Sequence, residues 1–496
     1  MTMPTLYDWF RSSAERFPDL VALEVGEQRL TYAQLQQIVK AVGADGLASV
    51  APRRVGLVAR PTIATYAGYL AAQRLGAAVV PLSAGAPAAY VETLAELADL
   101  DAVIDAGPEP APARSVAKLV LSGLTLHRSG RRQRANGSPE PDDLAYILFT
   151  SGSTGSPKGV PIRHRHLTEY IPYCVRRFDV QPGDRFAQTF ELSFDPSVFA
   201  MFVAWAGGAT VVVPDRDDIL APDTFVSRRA ITHWFSVPSV ISLAHRFGAL
   251  RPVSMPGLRW SLFAGEQFTV QQAGTWAAAA PGSVIENLYG PTETSITCTG
   301  YQLPSDRDRW PRTSNHSVPI GQPHPHLEAT VLGDAGPSAR GELCIRGSQR
   351  FDGYLTPTEN QGRFVRITPG RIERLAQAPT AQDWYRTGDL VGWENGELVH
   401  LGRLDDQLKV RGHRVEPGQI EGTLRGLTGI ENAVVVESNG ALHGFYTGHS
   451  RDPAALLTEL RRLLPPYLVP ISVRRLISFP TTANGKIDRH RLRALA

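Results

Sequence analysis

Apolar and polar residues alternate in short blocks along the first four hundred positions, a pattern typical of α/β folds. Apolar blocks predict buried strands at residues 54–58, 77–82, 144–149, 211–213 and 261–263. Near the start of the chain, apolar residues between positions 6 and 14 recur at helical spacing, which predicts a helix with one apolar face. Residues 30–32 end another strand, and Thr31 is placed to cap the helix that follows.

The pattern changes near Asp405, which predicts a domain of residues 1–404 followed by a small domain of residues 405–496. Just upstream, Asn395 and Gly396 separate two apolar segments and predict a hairpin. The charged, glycine-containing segment 402–417 is either a hinge or an ordinary charged turn. Downstream, residues 433–436 and 456–464 supply separate apolar segments. Proline, glycine and charge predict exposed loops at residues 105–115 and 128–142.

Composition excludes several classes of protein. A net charge of +3 over 496 residues gives no strong attraction to nucleic acid or to an anionic membrane. The three cysteines are far apart and lack metal-type spacing, which argues against a disulfide framework or a zinc site and predicts a reducing cytoplasm. No run of 18 apolar residues occurs, so we expect no membrane-spanning helix. Only five of the 51 basic residues are lysines, which draws attention to Lys158, Lys409 and Lys486 in motif-like segments.

Residues 148–159, LFTSGSTGSPKG, predict a polyphosphate-binding loop directly after the strand at 144–149. Its glycines let backbone N–H groups converge on an anion, while hydroxyls and a lysine add donors and charge. The candidate contacts are Thr150, Ser151, Gly152, Ser153, Thr154, Gly155 and Lys158. The loop is not a Walker A motif, because no Gly-Lys-[Ser/Thr] closes it. It is not a nucleophile elbow either, because position 151 is serine where that motif needs glycine.

Two further clusters carry carboxylates suited to nucleotide chemistry. Residues 287–293, NLYGPTE, predict a tight turn after a strand, where Thr292 and Glu293 suit a phosphate contact and a Mg²⁺ ligand, or form a simple capping pair. In residues 385–390, YRTGDL, Asp389 is either an acceptor for a ribose diol or a turn aspartate.

Asp195 lies inside the apolar stretch 192–205, LSFDPSVFAMFVAW. Burying a carboxylate without a partner is costly, so either an arginine satisfies it or it receives the ammonium group of a ligand. His164 and His166 flank Arg165, but their spacing does not put both on one helix face, and we expect no metal role for them.

Taken in order and spacing, these segments resemble the adenylate-forming superfamily of acyl-CoA synthetases, luciferases and nonribosomal peptide adenylation domains. The resemblance runs from residues 30–32 to 484–486 and includes GELCIRG at 341–347 and NGKIDR at 484–489. It implies the α/β adenylate-forming fold, with a large N-terminal domain of α/β layers and a β-barrel-like part. A small mobile α+β C-terminal domain would rotate about a hinge at Asp405.

The resemblance also implies a two-step reaction. A carboxylate attacks the α-phosphate of Mg-ATP to give an acyl-adenylate and pyrophosphate, and a thiol then takes the acyl group and releases AMP. By the same resemblance, Lys486 stabilises charge on the transferring group, Thr292 contacts phosphate and Glu293 binds Mg²⁺. The remaining implied roles are Tyr289 near the adenine, Gly290 in the nucleotide site, Asp389 on the ribose, Arg403 on ribose or phosphate, and Lys409 and Arg414 on the face used for thiolation.

Within the superfamily, the amino-acid-activating branch is most similar, because Asp195 matches the aspartate that pairs with a substrate α-ammonium. The other implied pocket positions are Pro196, Phe199, Phe235, Leu262, Ala264, Leu288, Ile296 and Thr297. They describe an apolar pocket, narrowed by two phenylalanines, for a small or cyclic aliphatic amino acid.

The chain looks most like the stand-alone prolyl-AMP ligases, which load L-proline onto the phosphopantetheine thiol of a separate carrier protein. Leu262 and Leu288 match that group, whereas Pro196, Phe235 and Thr297 replace its usual leucine, tyrosine and cysteine. Proline is therefore the first expected substrate, followed by alanine, glycine and serine. No carrier segment follows Lys486, so we expect the thiol to come from a separate protein or from CoA.

Three other functions stay open at the level of the sequence. A D-alanine–carrier protein ligase would have a similar pocket. An acyl-CoA ligase for a small carboxylic acid would leave Asp195 without a partner. A non-catalytic nucleotide-binding paralogue would have no need of Lys486, Glu293 and Asp389.

Overall fold

A computed structural model describes residues 3–45, 47, 51–105, 107, 125–128, 140, 142–150, 157–334, 336–368, 371–375, 379–405, 407–480 and 487–496. The chain divides into two compact units. The first consists of Met1–Leu82, Ala98–Leu148 and Val160–Leu404, and the second of Ser83–Leu97, Phe149–Gly159 and Asp405–Ala496. Most of the predicted loops at 105–115 and 128–142 lies outside the described residues.

The helices are α1 (Leu6–Arg16), α2 (Tyr32–Asp45), α3 (Ile63–Arg74), α4 (Ala88–Leu97), α5 (His164–Leu167), α6 (Tyr170–Arg177), α7 (Pro196–Ala206), α8 (Arg216–Leu220), α9 (Pro222–Arg228), α10 (Ser239–Arg246), α11 (Val270–Ala279), α12 (Pro417–Arg425), α13 (Pro453–Leu463) and α14 (Arg489–Leu495). Short 3₁₀ helices lie at Thr292–Thr294, Arg307–Arg309, Pro357–Asn360 and Pro466–Leu468.

The strands are β1 (Val21–Val25), β2 (Gln28–Thr31), β3 (Arg54–Ala59), β4 (Ala78–Ser83), β5 (Ala102–Asp105), β6 (Thr125–Arg128), β7 (Leu144–Thr150), β8 (Lys158–Arg163), β9 (Arg185–Ala187), β10 (Thr210–Val213), β11 (His233–Ser236), β12 (Trp260–Phe263), β13 (Val284–Tyr289), β14 (Thr299–Gln302), β15 (Gln322–Pro323), β16 (Leu327–Gly333), β17 (Gly336–Pro337), β18 (Arg340–Gly347), β19 (Phe364–Thr368), β20 (Arg371–Arg374), β21 (Trp384–Glu394), β22 (Glu397–Arg403), β23 (Leu408–Val410), β24 (His413–Val415), β25 (Ile430–Ser438), β26 (Ala441–Gly448) and β27 (Ser472–Arg475).

Three sheets build the first unit within the described part of the chain. The largest has the order β15-β14-β13-β12-β11-β9-β10-β1-β2, and its central strands from β13 to β1 are parallel. A second sheet has the order β6-β5-β3-β4-β7-β8. The third, β17-β16-β18-β21-β19-β20 with β22 beside β21, is antiparallel at each of its pairings. The α/β class predicted from the sequence is confirmed.

Helix α7 is the central helix of the first unit and is buried from residue 197 to 205, because its sequence is apolar on every face. Helix α1 packs against it, and the Phe10 ring meets the Trp205 ring edge-on at 5.5 Å between centroids. Helix α1 covers the predicted apolar positions, and its buried face includes Leu6, Phe10 and Ala14. Asp195 and Pro196 lie at the N-terminal end of this buried helix.

Local signals in the sequence account for several element ends. Thr31 caps α2, since its hydroxyl accepts from the Gln34 backbone N–H while the Gln34 side chain accepts from the Thr31 N–H. Asn395 and Gly396 have φ values of 52° and 82° and form the predicted tight turn between β21 and β22. The predicted strands at 54–58, 77–82, 144–149, 211–213 and 261–263 are found as β3, β4, β7, β10 and β12.

The second unit is built around the sheet β25-β26-β27 and the hairpin of β23 and β24. Its apolar core includes Ile420 of α12, Val435 of β25 and Leu460 of α13. The predicted apolar segments at 433–436 and 456–464 therefore belong to β25 and α13. Along the described residues, no helix is long and apolar enough to cross a membrane.

The three cysteines are buried, and none is in a disulfide. Burial raises the pKa of the Cys174 and Cys344 thiols well above the usual range.

Candidate functional site

Phe235, Leu262 and Leu288, three of the predicted pocket positions, lie near the carboxyl ends of the parallel strands β11, β12 and β13. Phe235 pairs with Leu262 in register, so their side chains share one face of the sheet. The Phe199 ring of α7 meets the Phe235 ring edge-on at 5.0 Å between centroids. Six of the predicted pocket positions are buried in a large hydrophobic cluster that also includes Leu6 and Phe10 of α1; they are Phe199, Phe235, Leu262, Ala264, Leu288 and Ile296.

Asp195 ends the chain segment that leads into α7 and is 9% exposed. Its Oδ2 atom is buried and has no hydrogen-bond partner among the described residues. Burial and the neighbouring Glu293 carboxylate raise the pKa of Asp195 to about 7, although hydrogen bonds from the Thr292 hydroxyl and the Ile296 N–H lower it. Over the described chain, no arginine or lysine forms an ion pair with it, so the arginine alternative has no support there.

Thr297 and Pro196 complete the predicted pocket residues. The Thr297 hydroxyl lies 2.7 Å from the Tyr170 hydroxyl and 3.1 Å from Nε2 of His324. Burial lowers the pKa of His324 to about 3, so its imidazole is neutral at physiological pH. Pro196 is half-buried in the first turn of α7, where its missing N–H costs no hydrogen bond.

A second constellation surrounds Asp389, which lies within β21 and not in a turn. Its Oδ2 accepts a 2.6 Å hydrogen bond from the Tyr289 hydroxyl. Its Oδ1 lies 3.0 Å from His400 Nε2 and 3.0 Å from Arg403 Nη1. The pairing of β21 with β22 puts Asp389 opposite Arg403, which explains why these two charges meet. Tyr289, Asp389 and Arg403, which were predicted to bind the nucleotide, therefore lie together around the Asp389 carboxylate. His400, which was not predicted, is the fourth member of this group.

Glu293 is completely buried in the 3₁₀ helix that follows β13. Its Oε1 accepts a 2.6 Å hydrogen bond from the Tyr354 hydroxyl, which lies 3.2 Å from the Tyr385 hydroxyl. Gly290 precedes this helix, and a Cβ there would lie 2.6 Å from the Ile296 carbonyl oxygen and 2.6 Å from Thr297 Cα. Glycine at 290 is therefore required by the close approach of two backbone segments.

The glycine loop is described only at its two ends. Thr150 ends β7, and its Oγ1 is buried with no hydrogen-bond partner among the described residues. Lys158 begins β8 and is 5% exposed, so it belongs to a strand and not to the loop. The predicted contacts Ser151, Gly152, Ser153, Thr154 and Gly155 lie outside the described residues, as does Lys486.

In the second unit, Asp405 is exposed, and Lys409 and Arg414 are half-buried. Lys409 and Arg414 lie opposite each other in the hairpin of β23 and β24. The Oδ1 atom of Asp405 accepts from the Gln407 N–H at 3.3 Å.

Sequence reasoning missed His400, Tyr354 and Gln349. His400 lies on β22, four residues after the hairpin turn, and β22 pairs with β21, which carries Asp389. The predicted hairpin could therefore have indicated that His400 lies near Asp389. Tyr354 and Gln349 follow β18 and reach the turn at 292–297 from a segment more than fifty residues away. No local pattern marks that contact.

The model of the family described as "AMP-binding enzyme" matches residues 10–355. The chain belongs to this family. Among curated relatives of this AMP-binding enzyme is the L-proline–[L-prolyl-carrier protein] ligase of Streptomyces coelicolor, 36% identical over 94% of this chain and 92% of the relative. The enzyme of the same name from Pseudomonas fluorescens is 31% identical over 99% of both chains. Tyrocidine synthase 3 of Brevibacillus parabrevis is 30% identical over 98% of this chain, which spans 8% of that relative.

Among solved structures, the Vibrio cholerae adenylation domain AlmE in complex with glycyl-adenosine-5′-phosphate has a TM-score of 0.81. The AlmE sequence is 27% identical to that of this AMP-binding enzyme, and the match covers 99% of this chain and 97% of the AlmE chain. These findings confirm the adenylate-forming fold. They also confirm the predicted class of enzyme, an amino-acid-adenylating ligase that uses ATP.

Proposed function

We propose that this enzyme activates a small or cyclic aliphatic amino acid, L-proline first, as aminoacyl-AMP and passes it to the phosphopantetheine thiol of a separate carrier protein. In the first step the amino-acid carboxylate attacks the α-phosphorus of ATP, and the bond to pyrophosphate breaks. In the second step the carrier thiol attacks the aminoacyl carbonyl, and AMP leaves. The observation that carries the proposal is the buried Asp195 carboxylate.

Asp195 is buried at the start of the apolar helix α7, with one buried oxygen that no described residue satisfies. An ammonium group supplies both the donor and the opposite charge that this carboxylate lacks. A carboxylic acid without an amine would leave the charge uncompensated. The prolyl-carrier protein ligases among the relatives act on an amino acid, and AlmE was solved with a glycyl-adenylate, which supports the same substrate class here.

The size of the substrate follows from the aromatic side chains. Phe235 is packed between Phe190 and Phe199, each at 5.0 Å between ring centroids, and is 1% exposed. The predicted pocket positions other than Asp195 carry no charged side chain. A compact apolar side chain therefore fits best, and a charged or large aromatic one is disfavoured.

We assign Asp389 to the ribose. Asp389 is a buried carboxylate held in place by Tyr289, His400 and Arg403, and an oriented acceptor of this kind suits a ribose hydroxyl. Tyr289 would lie beside the adenine, and Arg403 would face ribose or phosphate while holding Asp389 in place.

Glu293 fits a Mg²⁺ ion that is shared with ATP. One buried carboxylate held by Tyr354 suits an ion whose other ligands are phosphate oxygens and water. Within the described residues, no group of three or more His, Cys, Asp or Glu side chains could hold a metal ion alone. When bound, the ion would neutralise developing charge on the phosphates. Thr292 would contact phosphate beside it.

Lys486, Asp405, Lys409 and Arg414 keep the roles that the family resemblance implies. Lys486 would stabilise charge on the transferring group, and we expect Lys486→Gln to lower kcat for adenylation by about 10²- to 10³-fold. Asp405 would be the hinge, and Lys409 and Arg414 would act in the thiol step. Substituting either of those two should slow thiolation and leave pyrophosphate exchange intact.

The deciding experiment is amino-acid-dependent ATP–pyrophosphate exchange across the proteinogenic set, with D-alanine and β-alanine included. Exchange with proline or another small L-amino acid supports the proposal and identifies the substrate. A signal with D-alanine alone would favour a D-alanine ligase. Exchange only with simple carboxylic acids would favour a CoA ligase, and ATP binding without any exchange would favour a non-catalytic paralogue.

The acceptor needs a second assay. Purified enzyme is incubated with ATP, the preferred amino acid and either CoA or a phosphopantetheinylated carrier protein, and thioester formation is followed by mass spectrometry. We expect thioester on the carrier protein. Efficient formation of aminoacyl-CoA would overturn that part of the proposal.

A further inference from the structure

The turn after the Glu293 helix has an unusual backbone. Ser295 has a φ of 57° and Ile296 a φ of 82°. Positive φ is a genuine outlier for a β-branched residue such as isoleucine, because Cβ and the branched side chain crowd the backbone. Such a conformation persists only when surrounding contacts hold it.

Gln349 supplies those contacts. It is completely buried, and its Nε2 donates to the carbonyl oxygens of Thr294, Ser295 and Thr297 at 3.1, 3.0 and 2.9 Å. Its Oε1 accepts from His326 Nε2, which fixes the orientation of the amide. The Ser295 hydroxyl donates back to the Gln349 carbonyl oxygen at 2.7 Å. The two N–H hydrogens of this amide are thus shared among three carbonyl oxygens of the strained turn.

The first half of the same turn is held by other groups. The Thr294 N–H donates to the Pro291 carbonyl at 2.9 Å, and the Phe351 N–H donates to the Glu293 carbonyl at 2.9 Å. The Glu293 side chain accepts from Tyr354. The residues assigned to phosphate and Mg²⁺ therefore do not depend on the Gln349 amide.

The second half carries the groups assigned to the amino acid. The Ile296 backbone N–H acts to lower the pKa of the Asp195 carboxylate, and the Ile296 side chain is buried in the same hydrophobic cluster as Phe199 and Phe235. Thr297 follows directly, with its hydroxyl engaged by Tyr170 and His324. Whatever fixes residues 295–297 also fixes the ammonium site and one wall of the pocket.

We propose that Gln349 is a positioning residue for amino-acid selection, which holds the strained turn at residues 294–297 so that Ile296 faces Asp195. This proposal rests on the proposed function, because it deepens the account of the same pocket. Gln349 touches neither substrate in this assignment and acts through the turn.

The test uses two substitutions of similar size. Gln349→Met removes all polar contacts, and Gln349→Glu keeps the shape but sets a carboxylate against three carbonyl oxygens. For both variants we expect the KM for the preferred amino acid to rise about tenfold or more, with the KM for ATP within about twofold of the wild type. Discrimination between the preferred and the next-best amino acid should also fall.

Gln73 provides the matched control. It is also completely buried, and its Nε2 donates to the carbonyl oxygens of Ala77 and Ala145. Gln73→Met should lower the melting temperature to a similar degree as Gln349→Met but leave the KM for the amino acid unchanged. Equal effects of the two substitutions on that KM, or a larger effect of Gln349→Met on the KM for ATP, would overturn the proposal.

A crystal structure of the Gln349→Met variant separates this inference from the proposed function. We expect Ile296 to leave the positive-φ region, and an unchanged turn would overturn the positioning role whatever the substrate is. If the wild type shows no amino-acid-dependent exchange, the proposed function fails. In that case, a changed turn in the variant would still show that Gln349 supports residues 294–297. The claim that this turn serves amino-acid selection would be withdrawn.

Discussion

The Tyr289 hydroxyl donates a 2.6 Å hydrogen bond to Oδ2 of Asp389, joining two strands of different sheets. Burial and the Asp389 carboxylate raise the pKa of the Tyr289 phenol well above its usual range, so it stays a donor at every physiological pH. The aromatic residue assigned to the adenine and the carboxylate assigned to the ribose are therefore one hydrogen-bonded unit.

Tyr289→Phe keeps the ring and removes this donor. We expect the KM for ATP to rise about three- to tenfold, because the carboxylate loses its orientation, while the KM for the amino acid stays within about twofold. Pyrophosphate exchange with one substrate varied at a time measures both constants. A change confined to the amino-acid KM would contradict the assignment of Asp389 to the nucleotide.

Asp195→Asn should reduce amino-acid activation by at least about 100-fold and yet stabilise the fold above pH 7. Because the folded-state pKa is raised from 3.8 to about 7, the wild type loses stability as pH rises from about 4 to about 7. Asparagine removes this loss, on the order of 4 kcal/mol. Thermal unfolding at pH 4 and pH 8 should show similar melting temperatures at pH 4 and a higher one for the variant at pH 8.

Asp352 is a control for that experiment, because its pKa is shifted in the opposite direction from that of Asp195. Partial burial acts to raise its pKa, but the nearby His166 ring, at 3.6 Å, and hydrogen bonds from Arg165 and Arg163 hold the pKa well below its usual value. Its ionised form therefore stabilises the fold, and this stabilisation is lost as pH falls below about 4. Asp352→Asn should lower the melting temperature at pH 8 and leave the amino-acid KM unchanged.

Tyr354→Phe removes a buried side-chain donor to Glu293 and tests the Mg²⁺ assignment. We expect the Mg²⁺ concentration for half-maximal exchange to rise about tenfold, as is common when a ligand loses its supporting hydrogen bond. Tyr446→Phe, which removes a buried hydroxyl from the second unit, should leave it unchanged. An unaltered Mg²⁺ requirement in Tyr354→Phe would indicate that Glu293 is not a ligand.

Gly290→Ala should destabilise the protein by about 2 kcal/mol or more, since the new Cβ meets backbone atoms at 2.6 Å. Those atoms belong to residues 296–297, so the amino-acid KM should rise as well. Gly257→Ala is the control, because a Cβ at 257 meets nothing within 4 Å. Chemical denaturation of the three proteins gives the free energies of unfolding.

Elements defined by neighbouring residues could be predicted from the sequence. The apolar block at 144–149 became β7, Thr31 caps its helix, and Asn395-Gly396 forms its hairpin, because each depends on contacts within a few positions. The family resemblance added the pocket positions, which stay a prediction; six of them are buried in the main hydrophobic cluster of the first unit.

Contacts between distant segments could not be predicted in this way. Gln349 and Tyr354 reach residues 293–297 because β18 ends beside that turn, and no spacing in the sequence records it. The grouping of Ser83–Leu97 with Asp405–Ala496 in one compact unit is a second example. Both arrangements depend on how segments that are far apart in the sequence pack together in the folded protein.

The buried cysteines make this protein a convenient host for spectroscopic reporters. All three thiols are buried away from reagents, and the raised pKa of Cys174 and Cys344 further limits their thiolate, the species that reacts with maleimide dyes. A single cysteine introduced at an exposed position such as Ile477, which is 93% exposed, would be labelled selectively in the otherwise unmodified enzyme. The fluorescence of the attached dye could then report on the second unit during turnover. The three native cysteines would not need to be replaced first.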